Sequence, residues 1–354
     1  MLSIYDAVSP KATSAKWEED EMQRDPYLIQ AWFPETKQLG TDLEYLKGKK
    51  PNVRPLDLSA FDVKALPLDR GSFEKIQVSL PFFKNQLAIN EKLRQELLKV
   101  IATGNQLYID AILDKIYDDN KTLLEDAAVT REVMRAQLLT TGAISFSSNG
   151  QSMSYDFGVP AANKVSKTGE AAWSASATAD PIADIIAWQD QVQTATGVRP
   201  TSLVMNRFTF NLLKKCANVK NAIFYPVNGA ARNVYSDGAV KSLINEETGC
   251  TVYIYDKGYY PQGSDTFTKF ISDYVVVLFP EGPLGNFVFG TTPEEADLMS
   301  GATDANVQIV DLGVALTTIK EKDPVNVMTK VSMIGVPTLE KPEQLLIASV
   351  GTAG

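Results

Sequence analysis

The sequence contains no histidine and only two cysteines, Cys216 and Cys250. The absence of histidine removes the commonest general base and metal ligand, together with the Ser-His-Asp and Cys-His nucleophile systems. Two cysteines are too few for a zinc site or a disulfide framework in a chain of 354 residues. We therefore expect no catalytic residues, no cofactor, no metal site, and a reducing, cytoplasmic origin.

The chain also lacks an excess of positive charge and any long apolar run. Its 34 basic and 43 acidic residues give a formal net charge of −9, which argues against a surface that grips nucleic acid. An acidic wall would repel phosphates, so it could enclose nucleic acid and leave it free to move. No stretch approaches the roughly 18 apolar residues that cross a bilayer, and Met1–Asp6 has no basic leader. We predict no membrane association.

Motifs that would mark an enzyme site are weak in this sequence. The glycines between Gly282 and Gly290 lack the strand–GxGxxG–helix context of a dinucleotide site, and turns explain them. Adjacent carboxylates such as Glu246-Glu247 point in different directions, so solvated charge explains them better than a glycosidase pair. Cys216 lies on an apolar helix face, where a small buried side chain is expected.

The first 42 residues combine aromatic side chains with an acidic run, Glu18–Glu21. One interpretation is a surface arm with a solvated, charged face. The other is an arm whose aromatic side chains dock on a neighbouring subunit, because Tyr and Trp bury a large area at low entropic cost. The second interpretation makes Trp17, Trp32 and Phe33 candidate contact residues.

An alternating pattern over residues 45–84 predicts a long two-stranded hairpin. Phe61, Val63 and Ala65 would lie on one strand, and Ile76, Val78 and Leu80 on the other. The turn-rich stretch Leu66–Ser72 would join them. An isolated hairpin is marginal in water, so this one must lie on another part of the fold or on another chain.

The segment from Glu91 to Thr141 has a helical pattern. Apolar residues recur at spacings of three, four and seven: Leu93, Leu97, Val100, Ile101, Tyr108, Ile112, Leu123, Ala127, Met134 and Leu138. Thr122 and Glu125 resemble a capping box that restarts the helix after an interruption at Asp118–Asn120, and Gly142 is a suitable stop. We predict one long helix in two segments.

The remainder alternates helix and strand, which is typical of a compact α/β unit over about residues 180–300. Residues 163–179 are small and polar apart from Trp173, and they suggest a linker or flexible loop. Asp180-Pro181 and Asn206 are suitable helix starts. Two long strands, Gln308–Ile319 and Val325–Ile334, and a last strand at Leu345–Val350 complete the prediction.

Several stretches resemble one known family in their order along the chain. Tyr155–Gly158 ends a strand, Trp173 follows, and Asp180–Ile185 opens a helix. Further matches lie toward the C-terminus: Val204-Met205-Asn206 before the 208–215 helix, Thr317-Thr318, Asp323-Pro324 and Pro342. This order is similar to that of the lambda-type major capsid proteins of tailed bacteriophages, the major capsid protein E family, over nearly the whole chain.

The resemblance implies an α+β fold of the Hong Kong 97 type. Its expected parts are an N-terminal arm at 1–42, an extended β-hairpin loop at 43–85, a peripheral domain with a long spine helix at 86–179, an axial α/β domain at 180–304 and strands returning to the peripheral sheet at 305–354. It also implies contacts between subunits at the loop, for which Asp69, Arg70 and Lys75 are candidates.

By the same resemblance, the expected function is that of the major capsid subunit, in the virion of a tailed phage. Hexamers and pentamers would form an icosahedral shell around double-stranded DNA, without sequence-specific binding, after assembly in the host cytoplasm. Some relatives carry a long charged scaffolding segment before the arm. Only about 42 residues precede the hairpin here, so we expect a separate scaffolding protein and a portal as partners, and a decoration protein is a further candidate.

Three alternatives remain open from the sequence. An encapsulin-type nanocompartment uses the same shell architecture to hold cargo enzymes. An α/β enzyme centred on residues 180–300 is disfavoured by the missing histidine and cofactor motifs. A tail tube subunit is disfavoured by the long helix.

Overall fold

The computed structural model describes residues 9–21, 25–48, 73–89, 106–148, 150–223, 235–301, 305–321 and 326–351, with positions 91, 92, 95, 98 and 99. The predicted contact residues Asp69 and Arg70, the predicted turn at 66–72 and the strand at 61–65 lie outside the described residues. So do Leu93, Leu97, Val100 and Ile101 of the predicted apolar stripe.

The helices and strands alternate irregularly along the chain. The α-helices are α1 Pro10–Glu21, α2 Gln106–Thr141, α3 Pro181–Thr196, α4 Arg207–Lys215, α5 Ala217–Ile223, α6 Asp237–Thr248 and α7 Pro293–Ser300. The strands are β1 Glu35–Lys37, β2 Asp42–Gly48, β3 Phe73–Ser79, β4 Phe82–Ile89, β5 Ala143–Ser148, β6 Gln151–Asp156, β7 Lys164–Ser166, β8 Ser202–Met205, β9 Thr251–Ile254, β10 Gly258–Tyr259, β11 Thr268–Lys269, β12 Val275–Phe279, β13 Phe287–Phe289, β14 Asn306–Val310, β15 Val314–Lys320, β16 Val327–Pro337 and β17 Leu346–Ser349.

The chain divides into two compact units. The first contains the described parts of residues 1–44, 77–135 and 286–338. The second contains the described parts of residues 45–76, 136–285 and 339–354. None of the helices in the described parts of the chain combines the length and hydrophobicity that a bilayer crossing requires.

The first unit is built on a six-stranded sheet. Its strands run β1-β13-β16-β15-β14, and β4 pairs with β16 on the side away from β15. Asn85 of β4 donates to Asp126 of α2 at 3.2 Å, whereas Ser332 of β16 donates to Glu294 of α7 at 2.8 Å. Asn85 is opposite Val331 in the register, so these contacts lie on opposite faces of the sheet. Helix α2 therefore covers one face and α7 the other.

Helix α2 runs without a break from Gln106 to Thr141. The predicted interruption at Asp118–Asn120 and the capping box at Thr122 and Glu125 are wrong. Thr122 donates its hydroxyl to the Asp118 carbonyl at 2.9 Å, a bond that a helix interior accommodates. Asn120 is buried and donates to Thr13 of α1 at 3.5 Å, so its amide serves packing rather than a turn.

The downstream half of the predicted helical stripe is confirmed. Leu123, Ala127, Met134 and Leu138 are all buried. Gly142 has φ +75° and donates to the Leu138 carbonyl at 2.9 Å, so it ends the helix in the left-handed conformation that glycine tolerates.

The second unit has a five-stranded sheet in the order β7-β17-β12-β8-β9. Its core joins buried apolar side chains from that sheet and from the surrounding helices, including Ile185, Trp188, Phe210, Ile244 and Leu278. The predicted helix caps are confirmed, since Asp180 accepts from the Ala183 amide at 3.2 Å and Asn206 from the Thr209 amide at 2.8 Å.

Three sequence expectations for loops and strands differ from the structure. Residues 163–179 are not a free linker, because β7 pairs with β17 and buried Trp173 donates through Nε1 to Asp184 at 3.0 Å. The strand expected at Gln308–Ile319 is two strands, β14 and β15, separated at Asp311, whose φ of +52° reverses the chain. Strand β17 pairs with β12 and β7 in the second unit instead of returning to the first.

The expected hairpin also differs. Strand β3 pairs with β2, and the stretch 82–89, which the sequence prediction left at the end of the loop and the start of the helical part, forms strand β4. β4 alternates poorly between apolar and polar residues because both of its faces are largely exposed.

Candidate assembly surfaces

The arm is fixed to the first unit by a buried cluster of charged residues. Arg131 and Arg135 lie one turn apart on α2, so both face the same side. Arg135 Nη2 donates to Glu35 Oε1 of β1 at 2.7 Å, and Arg131 Nη1 donates to the same carboxylate at 3.2 Å. Because β1 pairs in parallel with β13, this double ion pair holds the arm strand at the edge of the sheet.

The β14–β15 turn completes the cluster. Arg131 Nη2 donates to Asp311 Oδ2 at 2.8 Å, and Trp17 Nε1 of α1 donates to the other oxygen of that carboxylate at 3.4 Å. The Ile29 amide donates to Glu132 Oε1 at 3.3 Å. Three separate stretches of the first 37 residues, in α1, the 3₁₀ turn at Ile29–Trp32 and β1, therefore bond to α2 or to the turn beside it.

Burial sets the electrostatics of this cluster. Burial lowers the pKa of Arg135, while the carboxylates of Glu35 and Glu132 act in the opposite direction. The Arg135 guanidinium also lies 4.8 Å from the centre of the Phe287 ring, and that of Arg131 lies 5.7 Å from the Phe289 ring. Two cations matched by three carboxylates on fixed elements can anchor a segment at a defined register. We interpret the cluster as a structural anchor.

A small cavity lies against the anchor within the first unit. It has a volume of about 230 Å³, and Trp17, Tyr27, Gln30, Arg131 and Asp311 are among the residues that line it. Among the described residues, the Nε atoms of Arg131 and Arg135 are buried without a hydrogen-bond partner. The two arginines therefore make their ion pairs through their Nη atoms.

The predicted aromatic contact residues lie inside their own chain. Trp17, Trp32 and Phe33 are only 2%, 7% and 0% exposed. This placement differs from an arm that presents its aromatic side chains to a neighbour, because burial within the chain leaves little surface for a second molecule. Lys75 lies in β3, and Asp69 and Arg70 lie outside the described residues.

Sequence reasoning missed the anchor, although a signal was present. Arg131 and Arg135 fall beside Met134 and Leu138 of the apolar stripe, where a solvated arginine is unexpected. Two cations at that spacing on a buried face predict carboxylate partners. The partner Glu35 is about a hundred residues away in sequence, so its identity could not be read from local pattern.

The described residues also include large apolar side chains on the surface of each unit. In the first unit these are Leu39, Phe82, Leu87, Leu98, Leu107, Leu298, Met299 and Leu312. In the second, Tyr260 and Phe267 lie beside the β10–β11 pair with their rings 5.6 Å apart, edge to face. Exposed apolar groups that lie together, as these two rings do, are typical of surfaces that meet another protein.

Comparisons with known proteins agree with this architecture. The family model described as phage major capsid protein E matches residues 14–350. A crystal structure of a protein assigned to the capsid of a prophage of Escherichia coli CFT073 superposes with a TM-score of 0.59 at 14% identity, covering 96% of both chains. A phage-related protein from Bordetella bronchiseptica RB50 superposes with a TM-score of 0.57 at 13% identity, covering 97% of both.

The sequence has no significant match among curated proteins. The two structural likenesses show the shared fold, which is the fold expected from the sequence, and the family model shows the membership over almost the full length. The chain therefore belongs to the phage major capsid protein E family, and its role is that of a structural subunit of a phage capsid shell.

Proposed function

We propose that copies of this chain assemble, as hexamers and pentamers, into the icosahedral head shell of a tailed double-stranded DNA phage in the host cytoplasm. The first unit would be the peripheral domain with α2 as its spine, and the second the axial domain around the ring axes. The supporting observation is that the arm strand β1 and strand β4 lie in one sheet beside α2. A shell needs heterologous contacts around each ring, and elements at the border of this sheet are placed to supply them.

The contacts between subunits are proposed at the exposed apolar residues rather than at the arm aromatics. Tyr260 and Phe267 present two adjacent rings on the second unit, which suits a contact around the ring. Lys75, Asp69 and Arg70 stay predicted contacts of the loop. Obligate interfaces bury upwards of about 2,000 Å², so several such patches must act together.

A separate scaffolding protein, a portal and a decoration protein are the proposed partners of the shell. A scaffolding segment within the chain has to be dispensable once the shell is complete. The described arm residues are instead bonded into the first unit through Trp17, Ile29 and Glu35. Their removal would break the anchor, so scaffolding is assigned to another chain. Uniform, correctly sized shells from this chain expressed alone would contradict that assignment.

We further propose that the shell encloses DNA without gripping it. The supporting observation is the net charge of −9, since a protein that binds the phosphate backbone displaces counterions with clustered Lys and Arg. The purified chain should therefore show no shift of duplex DNA in a gel at about 0.1 M salt. A micromolar, salt-dependent affinity would contradict this part of the proposal.

Sedimentation of paired variants tests the assembly proposal. Tyr260→Ser with Phe267→Ser removes the exposed aromatic pair of the second unit, whereas Asp265→Asn changes a residue of the same segment and serves as the control. We expect the double variant to keep the wild-type circular dichroism spectrum and to sediment as small species. The control should form particles like the wild type. Particles from the double variant at wild-type yield would rule out this contact.

A further inference from the structure

The cavity beside the arm anchor has no part in the proposed contacts between subunits. Its volume of about 230 Å³ leaves room for a molecule of at least about seven non-hydrogen atoms, since one water molecule takes about 30 Å³. Its lining comes from α1, residues 25–35, α2 and the β14–β15 turn, all within the first unit. A molecule bound there would contact the same segments that the anchor joins.

Apolar groups form part of this lining. Pro26 and Leu312 are exposed, and Tyr27 is partly buried. All three can pack against methylene groups whose charged ends are hydrated or paired, as the stems of lysine side chains pack on protein surfaces. The lining therefore suits a molecule with an apolar middle and polar ends.

The charged groups around the cavity are not balanced. The two guanidinium groups of Arg131 and Arg135 lie among four carboxylates, those of Asp25, Glu35, Glu132 and Asp311. Glu132 is outside the lining, but its carboxylate lies 3.8 Å from Arg135 Nη1. The excess of two negative charges favours a dication as the ligand, because partly buried charge without a partner is costly.

The carboxylates are the more accessible of these charged groups. The side chains of Glu35 and Asp311 are 12% and 13% exposed, whereas that of Arg135 is 1% exposed. A ligand therefore meets the carboxylate acceptors rather than the Arg135 donors. No group of three or more Asp, Glu or Cys side chains in the described part of the chain is arranged to hold a metal ion, and the volume is larger than a bare ion needs. These observations together favour an organic dication.

We propose that this cavity binds an alkyl diamine. One ammonium group pairs with the exposed carboxylate of Asp25, and the other with the carboxylates of Glu35 and Asp311. The methylene chain packs on the apolar part of the lining. The bound diamine adds contacts between the arm and the β14–β15 turn and so strengthens the anchor, a role separate from the contacts between subunits.

Calorimetric titration of the full chain with 1,5-diaminopentane tests the site. We expect one molecule to bind per chain with a dissociation constant below about 1 mM. Asp25→Asn removes the exposed carboxylate and should weaken binding at least about fivefold. Glu19→Gln removes the same charge from an exposed residue of α1 that does not line the cavity, and it should bind like the wild type. Equal affinity of Asp25→Asn and the wild type, or no measurable binding by the wild type, would overturn the proposal.

Competition identifies the class of ligand. Magnesium chloride at matched ionic strength should not displace the diamine, and displacement by it would overturn an organic dication in favour of a metal ion. Acetyl-lysine amide carries a single ammonium group and should bind more weakly than the diamine. Tighter binding of that compound would overturn a free diamine and indicate a lysine side chain of a protein as the ligand. These measurements need no particles, so a failure of the shell proposal would leave their outcome unaffected.

Discussion

Both units have buried apolar side chains, but only in the first do we find a buried cluster of charged residues at the centre of the described contacts. The second is organised around an apolar core that joins its sheet and helices, with Trp173, Trp188 and Phe210 fully or almost fully buried. The first encloses a charged cluster of Glu35, Arg131 and Asp311 beside its sheet. An apolar core tolerates substitutions that keep its volume and pattern, whereas a buried ion pair becomes costly when one partner is removed and the other charge stays buried. In the first unit, the cluster bonds the arm to α2 and to the β14–β15 turn and so holds it in one position.

Substitutions in the buried stripe of helix α2 should have the largest effect. Met134→Asp or Leu138→Asp would put a carboxylate at a position with no exposure. We expect the free energy of unfolding to fall by more than about 4 kcal/mol, so that the chain fails to fold, because a buried charge without a partner is very costly. Circular dichroism and the soluble fraction measure this. Met134→Leu, a volume-conserving change, should cost less than about 1.5 kcal/mol. A folded Met134→Asp protein would show that the stripe is not core.

The anchor should behave as a buried pair. Glu35→Ala leaves Arg135 buried without its closest carboxylate, and the expected cost in unfolding free energy is about 3–5 kcal/mol. Lys16→Met breaks an exposed pair with Asp114, where the side chains are 48% and 69% exposed, and should cost under about 1 kcal/mol. Urea unfolding compares the two variants. Equal effects would contradict the distinction between a buried anchor and a surface ion pair.

A cavity created by mutation in the second unit should lower the unfolding free energy about as much as Glu35→Ala does, for a different reason. Leu278→Ala removes a fully buried side chain of β12, and the expected loss is about 2–5 kcal/mol. Unlike the loss at Glu35, it should not change between low and high salt, since no charge is involved. Unfolding curves at two salt concentrations test this. A strong salt dependence for Leu278→Ala would contradict the claim that its effect is apolar and the effect at Glu35 electrostatic.

The reactivity of the two thiols of the second unit reports how easily its core opens. Burial raises the pKa of Cys216 to about 11, and burial also raises the pKa of Cys250. Both thiols are therefore protonated and shielded at pH 8. We expect a thiol reagent to modify the native chain at least about a hundredfold more slowly than the urea-unfolded chain. Rapid modification in native conditions would mean that this core opens easily.

The smallest effect concerns acid stability in the first unit. Burial acts to raise the pKa of Glu294, but hydrogen bonds from Lys330 and Ser332 outweigh it, and the net pKa lies below its ordinary value of 4.5. A lowered pKa stabilises the fold above the unfolded-state value, and the contribution is lost as pH falls through the folded-state value. Glu294→Gln should therefore reduce the loss of stability below about pH 4.5. An unchanged pH profile would contradict this role.

Local sequence features predicted the parts of the fold that depend on local chemistry. Asp180, Asn206 and Gly142 were identified correctly because a cap needs only its own turn. The order of elements was sufficient to place the chain in its family. The interruption near Asn120 was predicted wrongly because a polar residue that packs against α1 resembles a loop residue when tertiary contacts are unknown.

The remaining features depend on contacts between distant residues. β1 is three residues long and is held by Phe287–Phe289 of β13 and by Arg135, none of which is near in sequence. β4 is a strand because β16 pairs with it, and its own pattern is ambiguous. The burial of Trp17, Trp32 and Phe33 also depends on distant contacts. The sequence of an aromatic arm is the same whether its side chains pack inward or on a neighbour.

Cryo-electron microscopy of particles made from this chain is the most direct test of the proposed shell. We predict closed shells in which rings of five and six copies are resolved, with the second unit around each ring axis and α2 in the first unit of every copy. A protein that stays a dispersed monomer under all assembly conditions, with or without its neighbouring structural proteins, would contradict it.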